Sequence, residues 1–216
     1  MAEAEKNNNQ QVISYFRLRQ LIGILGISLP LLMILFNYIS FKSWQIEFSI
    51  SDYYNNGSAG YVFVGVLFVL GFFLLAYKGY EKIDDRAADV GCAAALGVAL
   101  FPTTSSNYTV HVMHFVFALL LFSTFIFFSL YLFRKTSGVK KITRQKVYRN
   151  RVYVTCGIIM IVCIVGIALA SLGLMGAAAS RYKIVFWLEA IALGSFGFSW
   201  IVKGELLWKD AANGKP

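Results

Sequence analysis

Apolar residues run along this chain in long blocks separated by short polar stretches. Six blocks, 19–40, 60–80, 86–103, 110–133, 152–175 and 183–203, are candidates to cross a hydrocarbon core as a helix, which takes about 20 residues. The pattern predicts an all-α fold, a polytopic membrane bundle of six transmembrane helices. The third block is the shortest, and its centre, GCAAALGVALFP, is built from small residues that suit a helix packed by close backbone approach. Pro30 is expected to kink the first helix and Pro102 to end the third.

The polar stretches separate by charge. One set is rich in Lys and Arg: the start of the chain with Lys6, Arg17 and Arg19, the turn KGYEKIDDR, the stretch RKTSGVKKITRQKVYRNR, and KGELLWKD near the end. The other set is poor in them: FSISDYYNNGSAG, FPTTSSNYT and GAAASRYK. The positive-inside rule places the first set, and with it both termini, in the cytoplasm. The domain reading is a polar cytoplasmic segment 1–18, a six-helix transmembrane domain 19–208 and a cytoplasmic tail 209–216. An aromatic belt is expected from Tyr38, Trp44, Tyr53, Tyr54, Tyr61, Tyr108 and Tyr182 on the outer side, with Tyr77, Tyr80, Tyr131 and Trp208 on the inner. The triplets Asn56-Gly57-Ser58 and Asn107-Tyr108-Thr109 both fall on the predicted outer side, where glycosylation acceptors would lie.

Composition agrees with a membrane setting. Hydrophobic residues make up 58% of the chain and charged residues 14%, against about 25% charged in soluble domains. The formal charge of +9 is gathered in the loops, so orientation explains it and no nucleic-acid partner is expected. Cys92, Cys156 and Cys163 fall inside apolar blocks, which argues against a disulfide framework and for small core residues. The opening residues have no short apolar run with a cleavage site, so no removable signal peptide is expected. There is no internal repeat, P-loop, dinucleotide fingerprint, GxSxG elbow or HExxH.

Chemistry concentrates at the predicted outer mouth. Glu189, in VFWLEAIAL, lies about two turns into the last block, where a carboxylate costs several kcal/mol unless it faces the bundle and finds a partner. His111 and His114 share a face at i and i+3 at the start of the fourth block. Ser49, Ser51 and Asp52 fall at the same level, and Asp52 beside NNG also suits a turn or cap. On the inner side, Asp84, Asp85, Arg86 and Asp89 suit a helix N-terminus, and Lys203 is expected to snorkel to the interface.

The motifs SISDYY, FVGVLFVLGFFLLAYKGYEKIDD, GVALFPTT and HVMHFVFALLLF resemble the bacterial membrane proteins of the domain of unknown function 998 family. More distantly, the IS-D motif and the six-helix layout are similar to the damage-regulated autophagy modulators and the factors that remodel GPI-anchor lipids. The resemblance implies a six-helix fold in a lipid setting, here a bacterial inner membrane. A weaker likeness is to membrane hydrolases of the alkaline ceramidase and adiponectin-receptor type, which hold zinc with three His. This chain has two His, spaced HxxH, so zinc would have to recruit Asp52 or Glu189 beside His111 and His114.

Three functions follow as expectations. The first is binding of a lipid or other amphiphile in a polar pocket formed by Ser49, Ser51, Asp52, His111, His114 and Glu189. The second is a metal-dependent lipid or amide hydrolase at the same residues. The third is a structural subunit whose small-residue third helix packs on a membrane-protein partner or a second copy of the chain.

Overall fold

The computed structural model describes residues 14–79, 81–103, 105–135 and 143–208. The expectations for segment 1–13, Tyr80, the middle of the basic stretch (136–142) and the tail 209–216 lie outside these residues. Among the described residues seven α-helices follow one another: α1 (Tyr15–Phe41), α2 (Ser58–Ala76), α3 (Lys82–Leu100), α4 (Tyr108–Leu130), α5 (Arg144–Ser171), α6 (Gly176–Arg181) and α7 (Ile184–Lys203). Short 3-10 turns lie at Ser51–Asn55 and Leu132–Arg134. Five of the helices, α1, α2, α4 with its following turn, α5 and α7, are long and apolar enough to cross a membrane, so the chain is a helical membrane bundle. The remaining long helix, α3, has 19 residues, or ~28 Å at the usual rise, but carries Asp84, Asp85, Arg86 and Asp89 in its first turns.

Helix starts follow local chemistry more than hydropathy. α3 begins at Lys82, four residues before its apolar block, because Glu81 and Asp84 form a reciprocal capping box in which Asp84 accepts the Glu81 N–H at 2.8 Å. α5 begins at Arg144, capped by the Thr143 hydroxyl, so RQKVYRNR forms its first two turns and is not the loop that its charge suggested. There Arg149 and Tyr153 turn inward and are buried, an amphipathic start that a search for apolar runs does not register. α3 ends at Leu100 as expected, with Phe101 extended ahead of Pro102.

The long helices form a ring in chain order. Each packs on its sequence neighbour, α1 on α2, α2 on α3, α3 on α4, α4 on α5 and α5 on α7, and α7 closes the ring against α1. The closing seam is a glycine contact. A Cβ on Gly23 would stand 2.5 Å from the Gly197 carbonyl oxygen, and one on Gly197 would meet the Gly23 carbonyl in return. The small residues of α3 are also used inside the chain, Gly97 under the Phe117 ring and Cys92 and Ala95 against Gly71. Along the axis Phe125 and Phe196 stack at 3.6 Å, with Phe128, Phe133 and Trp200 below them and Ile22, Leu29 and Met33 alongside.

The two sets of loops meet at opposite ends. At one end Gln20 donates to the Gly204 carbonyl, Lys135 bridges to Glu81 and Asp84, and Arg149 donates to the Trp208 carbonyl. At the other, the Phe186 N–H donates to the Phe48 carbonyl and Thr103 to the Ser51 carbonyl. Tyr61, Tyr108, Tyr182, Trp44, Tyr131 and Trp208 are exposed as an interfacial belt requires. Tyr53 and Tyr77 are not part of that belt, because both are buried in the core. Lys203 does not snorkel outward either. Its ammonium is folded in over the Phe133 ring and donates to the Phe133 carbonyl at 3.3 Å.

Candidate functional site

The end of the bundle poor in Lys and Arg, which the charge pattern predicts to be the outer one, is covered by residues 43–57, which cross the mouth of the ring between α1 and α2. Asn37, buried in the last turns of α1, holds their beginning through donation to the Ser43 and Gln45 carbonyls. It also accepts from Asn56, whose amide bonds the Glu47 carboxylate at 2.9 Å. The Tyr53 hydroxyl takes the Glu47 N–H and donates to the Gln45 carbonyl, and burial pushes the phenol above its ordinary range.

Within this cover the SISD motif is a closed local circuit. Asp52 accepts the Ser49 N–H at 3.0 Å, the Ser49 hydroxyl accepts the Asp52 N–H at 3.2 Å, and the Ser49 and Ser51 hydroxyls bond each other at 3.1 Å. This is the Asx-type bracing that Asp beside a turn favours, and it presents Ser51 and Ile50 inward. Glu189 of α7 then fastens the circuit to the bundle by accepting the Ile50 N–H at 2.6 Å.

The histidines secure the opposite wall. His111 Nδ1 meets the Thr103 carbonyl and His114 Nδ1 meets the Phe101 carbonyl, each at 2.6 Å. A carbonyl only accepts, so in each ring Nδ1 carries the proton and, when the ring is neutral, Nε2 keeps its lone pair. Thr103 in turn donates to the Ser51 carbonyl, which ties the α3–α4 connection to the cover.

Of the six residues expected at the outer mouth, the structure gathers Ser51, His114 and Glu189 around one cavity of about 50 Å3, closed otherwise by apolar side chains such as Leu29, Phe63, Val98 and Leu193. Asp52 lies close enough to interact electrostatically with both His114 and Glu189. Ser49 supports the wall from behind, and His111, one turn further out, serves the Thr103 carbonyl and not the cavity. Among the described residues no three His, Cys, Asp or Glu side chains come together as a metal-binding group. What the arrangement does supply is an acceptor carboxylate, an imidazole and a hydroxyl at the top of an apolar chamber.

Sequence reasoning missed Asn37 and Thr103, which hold the cover in register. An Asn inside the apolar run MILFNYIS was the available signal for the first, since a buried amide must find partners. Nothing marked Thr103. Comparison of the chain with protein-family models, with curated proteins and with solved structures finds no match.

Proposed function

We propose that the chain is a six-span membrane protein of the domain of unknown function 998 type, with α3 as its sixth span and both ends cytoplasmic. In this reading it receives the polar head of a membrane lipid or similar amphiphile at its outer mouth. The observation that carries the proposal is the convergence of Glu189, His114 and Ser51 on one small chamber whose other walls are apolar. Ionisable groups are costly inside a membrane bundle and are retained where they bind or transfer something.

The chamber volume narrows the reading. About 50 Å3 admits a few waters or one small polar head, whereas pockets for whole drug-sized ligands span roughly 300–1,000 Å3. The acyl portion therefore lies outside the chamber along the apolar helix faces. Admission requires the 43–57 cover to lift, and the Glu189 bond to the Ile50 N–H is the fastening that must open. Donors on the amphiphile would then take the place of that N–H on Glu189.

Native mass spectrometry of the protein extracted in mild detergent tests this. Leaving a buried polar group without its partner costs about 1–3 kcal/mol, so Glu189→Ala and His114→Ala should each lower lipid retention by roughly 10- to 100-fold. Glu189→Gln keeps an acceptor for Ile50 and should preserve the fold while weakening retention. Unchanged lipid occupancy in all three variants, with the fold intact, would remove the proposal.

A further inference from the structure

The inner end of the bundle carries a second polar cluster, unrelated to the outer chamber. Arg19 from α1, Lys146 and Arg149 from α5 and Lys203 from α7 are brought together there, with Lys203 in electrostatic reach of the other three and of Asp84. Arg19, Arg149 and Lys203 are all at least nine-tenths buried. Lys146 and Lys203 both donate to the Phe133 carbonyl, and Arg149 donates to the Trp208 carbonyl at 2.8 Å.

Two buried donors in this region have no hydrogen-bond partner, Arg19 Nε and Trp200 Nε1. Both stand against the same Tyr77 ring: the Arg19 guanidinium lies 5.5 Å from its centroid and the Trp200 ring 5.2 Å. Trp200 precedes Lys203 by three residues on α7, so the two share a face. Arg19 meets no carboxylate among the described residues and is held by the Tyr15, Phe16 and Tyr77 rings alone. A buried donor without a partner has given up its water and gained nothing in return, and both of these ask for an acceptor.

We propose that this cluster is a binding site for a phosphate-class oxyanion, with Arg19 and Trp200 as donors and Lys146, Arg149 and Lys203 beside them. A guanidinium matches the oxygen spacing of phosphate, and its weak hydration suits it to a buried site. The source that the surroundings favour is the head of an anionic membrane lipid. Arg19 lies at the charged end of the bundle, where cytoplasmic-leaflet phosphates lie, and its neighbours Tyr15 and Phe16 are exposed at the level of the glycerol and upper chains. A soluble phosphate compound has the same head chemistry and would meet the same donors.

The test is thermal unfolding of the full chain in neutral detergent with three additions: phosphatidylglycerol, phosphatidylcholine and inorganic phosphate. At about 100 times its Kd, a ligand of the folded state should raise Tm by roughly 5–10 °C for a chain of this size. Phosphatidylglycerol is expected to do so and phosphatidylcholine is not. Arg19→Met, which keeps the apolar stem, and Trp200→Phe, which keeps the ring and removes the donor, should each at least halve the shift. Arg151→Gln, at an exposed arginine of the same end, should leave it intact. If inorganic phosphate reproduces the shift the source is a soluble phosphate, and if it does not the source is the lipid. No shift from either addition, or an equal loss in Arg151→Gln, would overturn the site, the second outcome by showing only diffuse surface attraction. Should Arg19→Met fail to fold, Trp200→Phe alone decides between these results.

Discussion

Tyr53 illustrates how single side chains hold the outer cover. Its ring is sealed in the core and its hydroxyl joins Gln45 to Glu47. Burial raises its pKa above the ordinary 10.0, so above about pH 10 the unfolded chain loses this proton before the folded one does. The folded state then binds more protons, and its stability falls as pH rises from that point towards the folded value. Thermal melts should therefore show a loss of stability above about pH 10 that Tyr53→Phe reduces, at a cost of about 1 kcal/mol near neutrality for the lost hydroxyl bonds. Asn37 makes a stronger demand, because its amide serves three partners at once. Asn37→Leu should destabilise by about 1–3 kcal/mol by leaving one Asn56 N–H and the Ser43 carbonyl without this partner, measurable as a drop in Tm without loss of helix signal.

Among the elements, the seam between α1 and α7 is the most tightly specified. Backbone meets backbone at Gly23 and Gly197, and a side chain at either position would run into the facing carbonyl as well as Ile201 or Ile27. Gly197→Val should cost about 1–3 kcal/mol or more as overpacking, despite the better helix propensity of the replacement, and thermal melting in detergent would register it. Glycines in an apolar run said only that some helix would approach closely. Which helix does so depends on the ring order, and blocks this uniformly apolar carry little amphipathic periodicity to reveal it. The apolar blocks themselves were legible, and every long helix lies on one. Their ends were less so: Lys82 and Arg144 open helices within charged stretches because capping and inward-facing residues such as Arg149 outweigh hydropathy there. The outer site was legible in its residue types and depth. The split between Ser51, His114 and Glu189 at the chamber and His111 outside it was not, since it turns on which carbonyl each imidazole meets.

For the whole molecule, the status of α3 decides the topology. With six spans, Tyr108 faces the outside and Arg144 the cytoplasm, and with α3 withdrawn from the membrane the two would exchange sides, because α4 still separates them. A Tyr108→Cys variant in a background lacking Cys92, Cys156 and Cys163 should be labelled on intact cells by a membrane-impermeant maleimide, whereas Arg144→Cys should react only after lysis; Tyr108 is 79% exposed, so reagent access is not limiting. Protection of Tyr108→Cys on intact cells would refute six spans. The ring order also bears on how the protein comes into being. α7 follows the other described helices out of the ribosome, and it brings Glu189, Gly197, Trp200 and Lys203 together. Until it arrives, α1 has no partner on one side, the SISD circuit has nothing to fasten it, and Arg19 waits beside an incomplete aromatic wall. The arrival of α7 thus completes both ends of the bundle in a single event, and a nascent chain arrested before Ile184 would hold neither polar cluster in its assembled arrangement.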